Sequence, residues 1–143
     1  MLAFPTTTIA ALNGHTFAAG AMLALAHDAR VMRTDRGFFC LPEADIRIPF
    51  TVPMASVIQA KLSKAAAHEA MTTGKRYTAE EALRASIVQQ TASEAEVLPN
   101  ALALAKATGG KHGATLGAIK KVMYRDVLQT LDAPQTGNPF ATT

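Results

Sequence analysis

The sequence predicts an α/β domain in which a few short strands carry a cover of helices. Three observations point there. A β-rich apolar run, Thr6–Leu12, stops at the turn dipeptide Asn13-Gly14. Capped segments with helical periodicity follow over most of the chain. Hydrophobic residues fill 49% of the 143 positions and charged residues 17%, the balance of a single folded domain with a real core.

The elements follow in order. Asn13 and Gly14 both tolerate positive φ, the usual mark of a hairpin, yet the helical pattern beyond them predicts a strand-to-helix turn. Ala18–Ala26 consists almost wholly of helix formers. Ala29–Met32 reads as a short strand, Arg33–Gly37 as a polar turn, and Gly37–Leu41 as a second apolar run ending at Pro42-Glu43. Thr51–Leu62 places Met54, Val57, Ile58 and Leu62 on one helical face. Ser63 caps an Ala-rich helix, Ala65–Ala70, that ends near Gly74.

Thr78 and Glu81 form a capping box opening a helix through Ala85. Ile87–Gln90 is a short edge strand or an extended link. A helix from about Glu94 holds Pro99 in its first turns and ends at Gly109-Gly110. The last helix, Ala114–Leu131, has an apolar stripe of Leu116, Ile119, Met123, Val127 and Leu131, with Lys120, Lys121, Arg125 and Asp126 off it. Pro134, Gly137 and Pro139 predict a frayed tail after Asp132. So few strands make a small sheet for this many helices, which predicts a part of a larger architecture or dependence on oligomer contacts.

Composition narrows the function classes. A net charge of +3 without a Lys/Arg block longer than two residues, and no Trp, argue against a nucleic-acid surface. The apolar stretches are too short to span a membrane. The first residues lack the basic and apolar regions of a signal peptide, and Ala141-Thr142-Thr143 matches no peroxisomal or retrieval tripeptide. Cys40 is the single cysteine, so a reducing compartment is the default, and no metal-ligand spacing joins His15, His27, His68 and His112.

Several residues have both a structural and a chemical reading. Ala18, Ala19, Gly20 and Ala21 suit close helix packing, or a helix start whose free N–H groups face an oxyanion. Glu43 suits an ordinary strand-end carboxylate, or a general base made stronger by apolar neighbours. His15 suits a structural hydrogen bond or a place beside substrate, and His27 an interaction with carbonyls at a helix end. Cys40 reads as a packed small hydrophobe. Lys120 and Lys121 read as a solvated helix face.

The order Asn13-Gly14-His15, Ala19-Gly20, Asp28, Phe39, Pro42-Glu43-Ala44-Asp45-Ile46, Thr73-Gly74 and Ala79-Glu80-Glu81-Ala82 resembles the crotonase (enoyl-CoA hydratase/isomerase) superfamily, and within it the Δ3,Δ2-enoyl-CoA isomerases. The resemblance covers about residues 5–130. It implies a crotonase-like ββα spiral fold lacking its N-terminal half, with residues 1–62 as the remaining core and active-site segment and 63–143 as a helical C-terminal trimerisation region. It also implies an oxyanion hole in which the Ala19 N–H, beside Gly20, is one donor. The other donor belongs to a loop of the family's N-terminal half, outside this sequence.

Of the two glutamates that hydratases use, the resemblance places Met22 at the first and Glu43 at the second. One carboxylate suits an isomerase that moves a 3-enoyl-CoA double bond to trans-2 in unsaturated fatty-acid β-oxidation. The implied substrate-binding set is Ala19, Gly20, Met22 and Phe39, with Glu43 catalytic. The CoA thioester is substrate, and no metal or redox cofactor is implied. Expected partners are acyl-CoA and further copies of the chain, as a trimer or dimer of trimers. The expected compartment is peroxisome or mitochondrion in a eukaryote and cytoplasm otherwise. Arg47 stands where relatives generally carry glycine, with an ion pair to Asp45 as its expected role. The alternatives are a non-catalytic oligomerisation module and, less well matched because of Met22, an enoyl-CoA hydratase.

Overall fold

The computed structural model describes residues 1–134, so the expected fraying of the tail lies largely outside the described residues. The described residues form five short strands and seven helices. The first are β1 (Ile9–Leu12), β2 (Thr16–Phe17), α1 (Ala19–Leu25), β3 (Ala29–Arg33) and β4 (Phe39–Cys40). A 3-10 turn at Pro42–Ala44 leads to α2 (Val52–Lys61), α3 (Lys64–Thr73) and α4 (Ala79–Arg84). Then come β5 (Gln90–Ala92), α5 (Glu94–Thr108), α6 (Gly113–Met123) and α7 (Arg125–Asp132).

All named strand pairs are parallel. One sheet has the order β1-β3-β5 and the other pairs β2 with β4. Side chains alternate across β3, so Val31 faces one layer and Met32 the other. Val31 packs with Ala92, Val97 and Ala101 beneath α5. Met32 joins Leu12, Leu25, Phe39, Ile58, Ile87 and Val88 in the larger core. Covering both faces is what a parallel sheet requires. That larger core draws residues from both sides of position 62.

Local capping chemistry sets the helix ends, as expected at Ser63 and Thr78 and in addition at Thr51. Thr51 accepts from the Met54 N–H, Ser63 from Ala66 and Thr78 from Glu81. Glu81 reaches back to the Thr78 N–H at 2.9 Å, which completes the capping box. Gly74 ends α3 in the left-handed region at φ 61°, where an added Cβ would collide with the Asp45 carboxylate.

Three expectations are corrected or narrowed. The Asn13-Gly14 turn leads first into β2, whose two residues pair with β4, and only then into α1. Of the two readings of Ile87–Gln90, the strand gives way to the link, and the strand begins only at Gln90. Ile87 and Val88 instead serve as fully buried core contacts. The final helix breaks at Tyr124, and the expected stripe holds only in part: Leu116 and Val127 are half-buried, but in α6 the buried positions are Gly117 and Lys120. Lys120 points inward at 5% exposure, while Ile119, Val122 and Met123 face outward.

The reason is ionic. Lys120 Nζ lies 2.6 Å from Asp28 Oδ2 and also donates to the carbonyls of Phe4 and Thr6. Asp28 in turn accepts from the N–H and hydroxyl of Thr8. Turning Lys120 outward would leave the Asp28 carboxylate without its cation, so the pairing fixes which face of α6 points inward.

Candidate active site at the strand ends

The site begins with the pairing of β2 and β4. Thr16 donates its N–H to Phe38 O at 2.9 Å, and Ala18 donates to Cys40 O at 3.1 Å. Because the strands are parallel, their C-terminal ends fall together. The first turn of α1 leaves one end and the Pro42–Ala44 turn leaves the other. Ligand sites of α/β sheets form at such carboxyl ends.

Ala18 holds φ 49° and ψ −123°, a conformation costly for a residue with a Cβ. Its carbonyl accepts from Met22 N–H, so the strained residue starts the helix. Ala19 and Gly20 follow, both exposed. Among the described residues no acceptor meets the Ala19 or Gly20 N–H, and a Cβ added at Gly20 would have no neighbour within 4 Å. The helix start presents free amides toward open space.

Glu43 is the opposite kind of group. Only 3% of it is exposed, and its Oε2 is a buried oxygen without a hydrogen-bond partner among the described residues. Burial pushes its carboxyl above the usual value, and a hydrogen bond from its own backbone only partly opposes this. An unpartnered buried carboxylate is costly to a fold, so its presence is a chemical signal.

Met22 lies one turn into α1. It packs against the larger core and also walls an apolar cavity of about 530 Å³. Pro53, Met54 and Val57 of α2, Leu128 and Leu131 of α7, and the Met1–Pro5 segment form other parts of that wall. Phe39 is fully buried, and its backbone exchanges two hydrogen bonds with Tyr77. Its ring faces the core rather than open space. The structure therefore brings Ala19, Gly20 and Glu43 to the same strand ends, sets Met22 between core and cavity, and places Phe39 beneath them.

The expected Asp45–Arg47 ion pair does not form. Hydrogen bonds from Asp45 and Ile46 to Pro42 O, and from Ile48 to Glu43 O, close a tight turn between them. Arg47 takes φ 59° in this turn and is exposed, whereas Asp45 lies against Gly74. The left-handed backbone is the physical reason glycine suits this position. Arg47 adopts the same conformation at a cost.

The remaining candidates have structural partners. His15 stacks on Phe38 and tilts against Phe17, with ring centroids 5.8 and 5.0 Å away. His27 Nδ1 meets Leu23 O at 2.8 Å, as expected at a helix end. Cys40 is buried and donates to Gly74 O, and burial pushes its thiol up. Sequence reasoning missed the buried Arg30, which donates to the carbonyls of Ala24, Leu25, His27 and Ile87. It also missed the cavity, whose wall is assembled from four segments distant in sequence. Among the described residues no group of three His, Cys, Asp or Glu side chains could hold a metal ion, and no helix is long and apolar enough to cross a membrane.

Free amides at a helix start and one buried carboxylate thus both follow from the C-terminal ends of the same strand pair. The short parallel strands and the helices packed around them form a crotonase fold. The chain belongs to the enoyl-CoA hydratase/isomerase family, whose family model matches residues 1–138.

Enoyl-CoA delta isomerase 3 of Arabidopsis thaliana is 35% identical over 99% of this chain and 61% of its own length. Enoyl-CoA delta isomerase 2 of the same plant, named as peroxisomal, is 36% identical over 89% of the chain and 55% of its own. A carnitinyl-CoA dehydratase of Escherichia coli K12 is 38% identical over 82% of the chain and 44% of its own. The human mitochondrial delta3-delta2-enoyl-CoA isomerase superposes with a TM-score of 0.79 at 26% identity, over 86% of this chain and 48% of that one. The chain thus spans about half to three-fifths of the length of these proteins.

Proposed function

We propose that this chain carries the proton-transfer half of an enoyl-CoA isomerase site, converting a 3-enoyl-CoA to the trans-2 isomer. The observation that supports this most is Glu43: a single buried carboxyl with an unpartnered oxygen, beside a helix start with free amides. The Glu43 carboxylate takes a proton from C2 of the substrate. The C2–H electron pair forms a dienolate whose oxygen accepts a hydrogen bond from the Ala19 N–H, with Gly20 leaving room for the thioester. The Glu43 carboxylic acid then returns its proton at C4, which regenerates the carboxylate.

Met22 supplies no second acid or base, which favours isomerisation over hydration. Phe39 acts from below, as support for Met22 and the strand end. CoA enters as part of the substrate, and the reading requires no metal or redox cofactor. The reaction belongs to unsaturated fatty-acid β-oxidation, in a peroxisome or mitochondrion of a eukaryote or otherwise in cytoplasm, and the working form is a homo-oligomer.

A second reading rests on a specific surface. Ile119, Val122 and Met123 project from α6 at 50%, 77% and 66% exposure. An apolar face of this kind suits a non-catalytic assembly module. An assay with 3-hexenoyl-CoA separates the readings. The isomerase reading expects formation of 2-hexenoyl-CoA, with kcat lowered about 100- to 10,000-fold in Glu43→Gln. Absence of turnover from a stable oligomer would favour the module, and 3-hydroxyhexanoyl-CoA as the sole product would favour a hydratase.

A further inference from the structure

We propose that Tyr77, through the hydrogen bond from its hydroxyl to Glu69, is a positioning residue for Glu43: it fixes the connector between α3 and α4, which clamps the chain on both sides of that carboxylate. The inference rests on the isomerase reading of the strand-end site and adds to it what holds the base in place.

β4 carries the chain to Glu43, and only its two residues pair with β2 on one edge. The connector, residues 74–78, takes the other edge. Phe39 and Tyr77 exchange two backbone hydrogen bonds there, at 3.0 and 2.8 Å, in an antiparallel bridge. Three residues earlier, the Gly74 carbonyl accepts from the Cys40 thiol at 3.2 Å. The same glycine lies so close to the Asp45 carboxylate that a Cβ added to it would fall 2.5 Å from Oδ2. The connector therefore touches Phe39 and Cys40 before Glu43, and Asp45 after it. Glu43 Oε2 has no hydrogen-bond partner among the described residues, so its place depends on how the backbone around it is held.

Tyr77 ties the connector to α3. It is buried, and its hydroxyl donates to Glu69 Oε2 at 2.7 Å, about one turn before the helix ends. Lys75 Nζ lies 3.4 Å from Glu69 Oε1 and 4.9 Å from the centre of the Tyr77 ring, which closes the connector onto the helix. Burial, and after it the Glu69 bond, push the Tyr77 hydroxyl up, while the same bond holds the Glu69 carboxyl down. The phenol stays the donor and the carboxylate the acceptor, a charge-assisted pairing.

A base works only within hydrogen-bond reach of the proton it takes, and a misplacement of about 1 Å can cost about 100-fold in rate. The Ala19 amide follows β2, on the far side of β4 from the connector. Loosening the connector thus acts on kcat rather than on KM.

The test measures kcat and KM for 3-hexenoyl-CoA. Tyr77→Phe and Glu69→Ala should each lower kcat about tenfold and change KM less than about twofold. The double variant should be no worse than either one. Glu69→Gln keeps an acceptor oxygen and should retain most of the parental kcat. Ser63→Ala removes the cap of the same helix, so it should lower the melting temperature and leave kcat unchanged.

A second readout needs no turnover. The infrared carbonyl band of the protonated Glu43 carboxyl is isolated at pH 4 by subtracting, for each protein, the spectrum of its Glu43→Gln form. The band should move in Tyr77→Phe and stay in Ser63→Ala. Parental kcat in Tyr77→Phe, an equal loss of kcat in Ser63→Ala, or an unmoved Glu43 band would each overturn the proposal. A parent protein that fails to isomerise 3-hexenoyl-CoA, but whose Glu43 band moves in Tyr77→Phe alone, would keep the positioning role and remove only the catalytic reading.

Discussion

The Ala18 N–H donates to the Cys40 carbonyl at 3.1 Å, and this bond couples the two halves of the candidate site. Ala18 is the residue before the free amides of α1. Cys40 lies three residues before Glu43. The bond extends the β2–β4 ladder by one step, so the helix start and the buried carboxylate are fixed by a strand pair only two residues long on each side.

Glu43 should make the protein less stable as pH rises. Its folded-state pKa lies above the ordinary 4.5, so between these values the folded chain binds more protons than the unfolded one. Stability from this group is present below pH 4.5 and is lost as pH climbs through the folded value. Glu43→Gln removes the ionisation. Denaturant titrations at pH 4 and pH 8 should show the variant gaining on the parent protein at pH 8. An equal difference at the two pH values would contradict the assignment.

The Lys120–Asp28 pair should behave in the opposite sense. Burial pushes the Asp28 carboxyl up, but the hydrogen bonds and charge of Lys120 and the two bonds from Thr8 together hold it below the ordinary 3.8. Its contribution is present above pH 3.8 and is lost as pH falls through the lower folded value. Lys120→Met leaves Asp28 and the Phe4 and Thr6 carbonyls without their cation and should cost about 3 kcal/mol in a urea titration. Adding Asp28→Asn should recover part of that loss.

Arg47→Gly should stabilise the chain by about 1 kcal/mol. Arg47 holds φ 59° without an ion pair among the described residues, so glycine removes strain and breaks no charge contact. Thermal unfolding of the two proteins in parallel checks this. A lower melting temperature for the variant would show that Arg47 contributes a contact in solution.

What could be read from the sequence was largely local. Ser63, Thr78 and Glu81 cap helices through atoms three residues away, so their motifs predict α3 and α4 directly. The helical face of Val57, Ile58 and Leu62 was equally plain, since all three are buried. Misreadings arose where the partner is distant. Lys120 faces inward because Asp28, Phe4 and Thr6 lie 92, 116 and 114 positions away, and no pattern within α6 announces them. β2 has two residues and exists only through β4. Glu43 was conspicuous as a carboxylate among apolar residues, but its orphaned oxygen could be found only from the packing around it.

The most direct test follows the proton itself. Incubation with 2,2-dideutero-3-hexenoyl-CoA in ordinary water, read by NMR of the 2-hexenoyl-CoA product, reports whether one base moves it from C2 to C4. A single Glu43 shuttle predicts deuterium at C4, and no such product from Glu43→Gln. A product without label at C4, or full activity in Glu43→Gln, would contradict it.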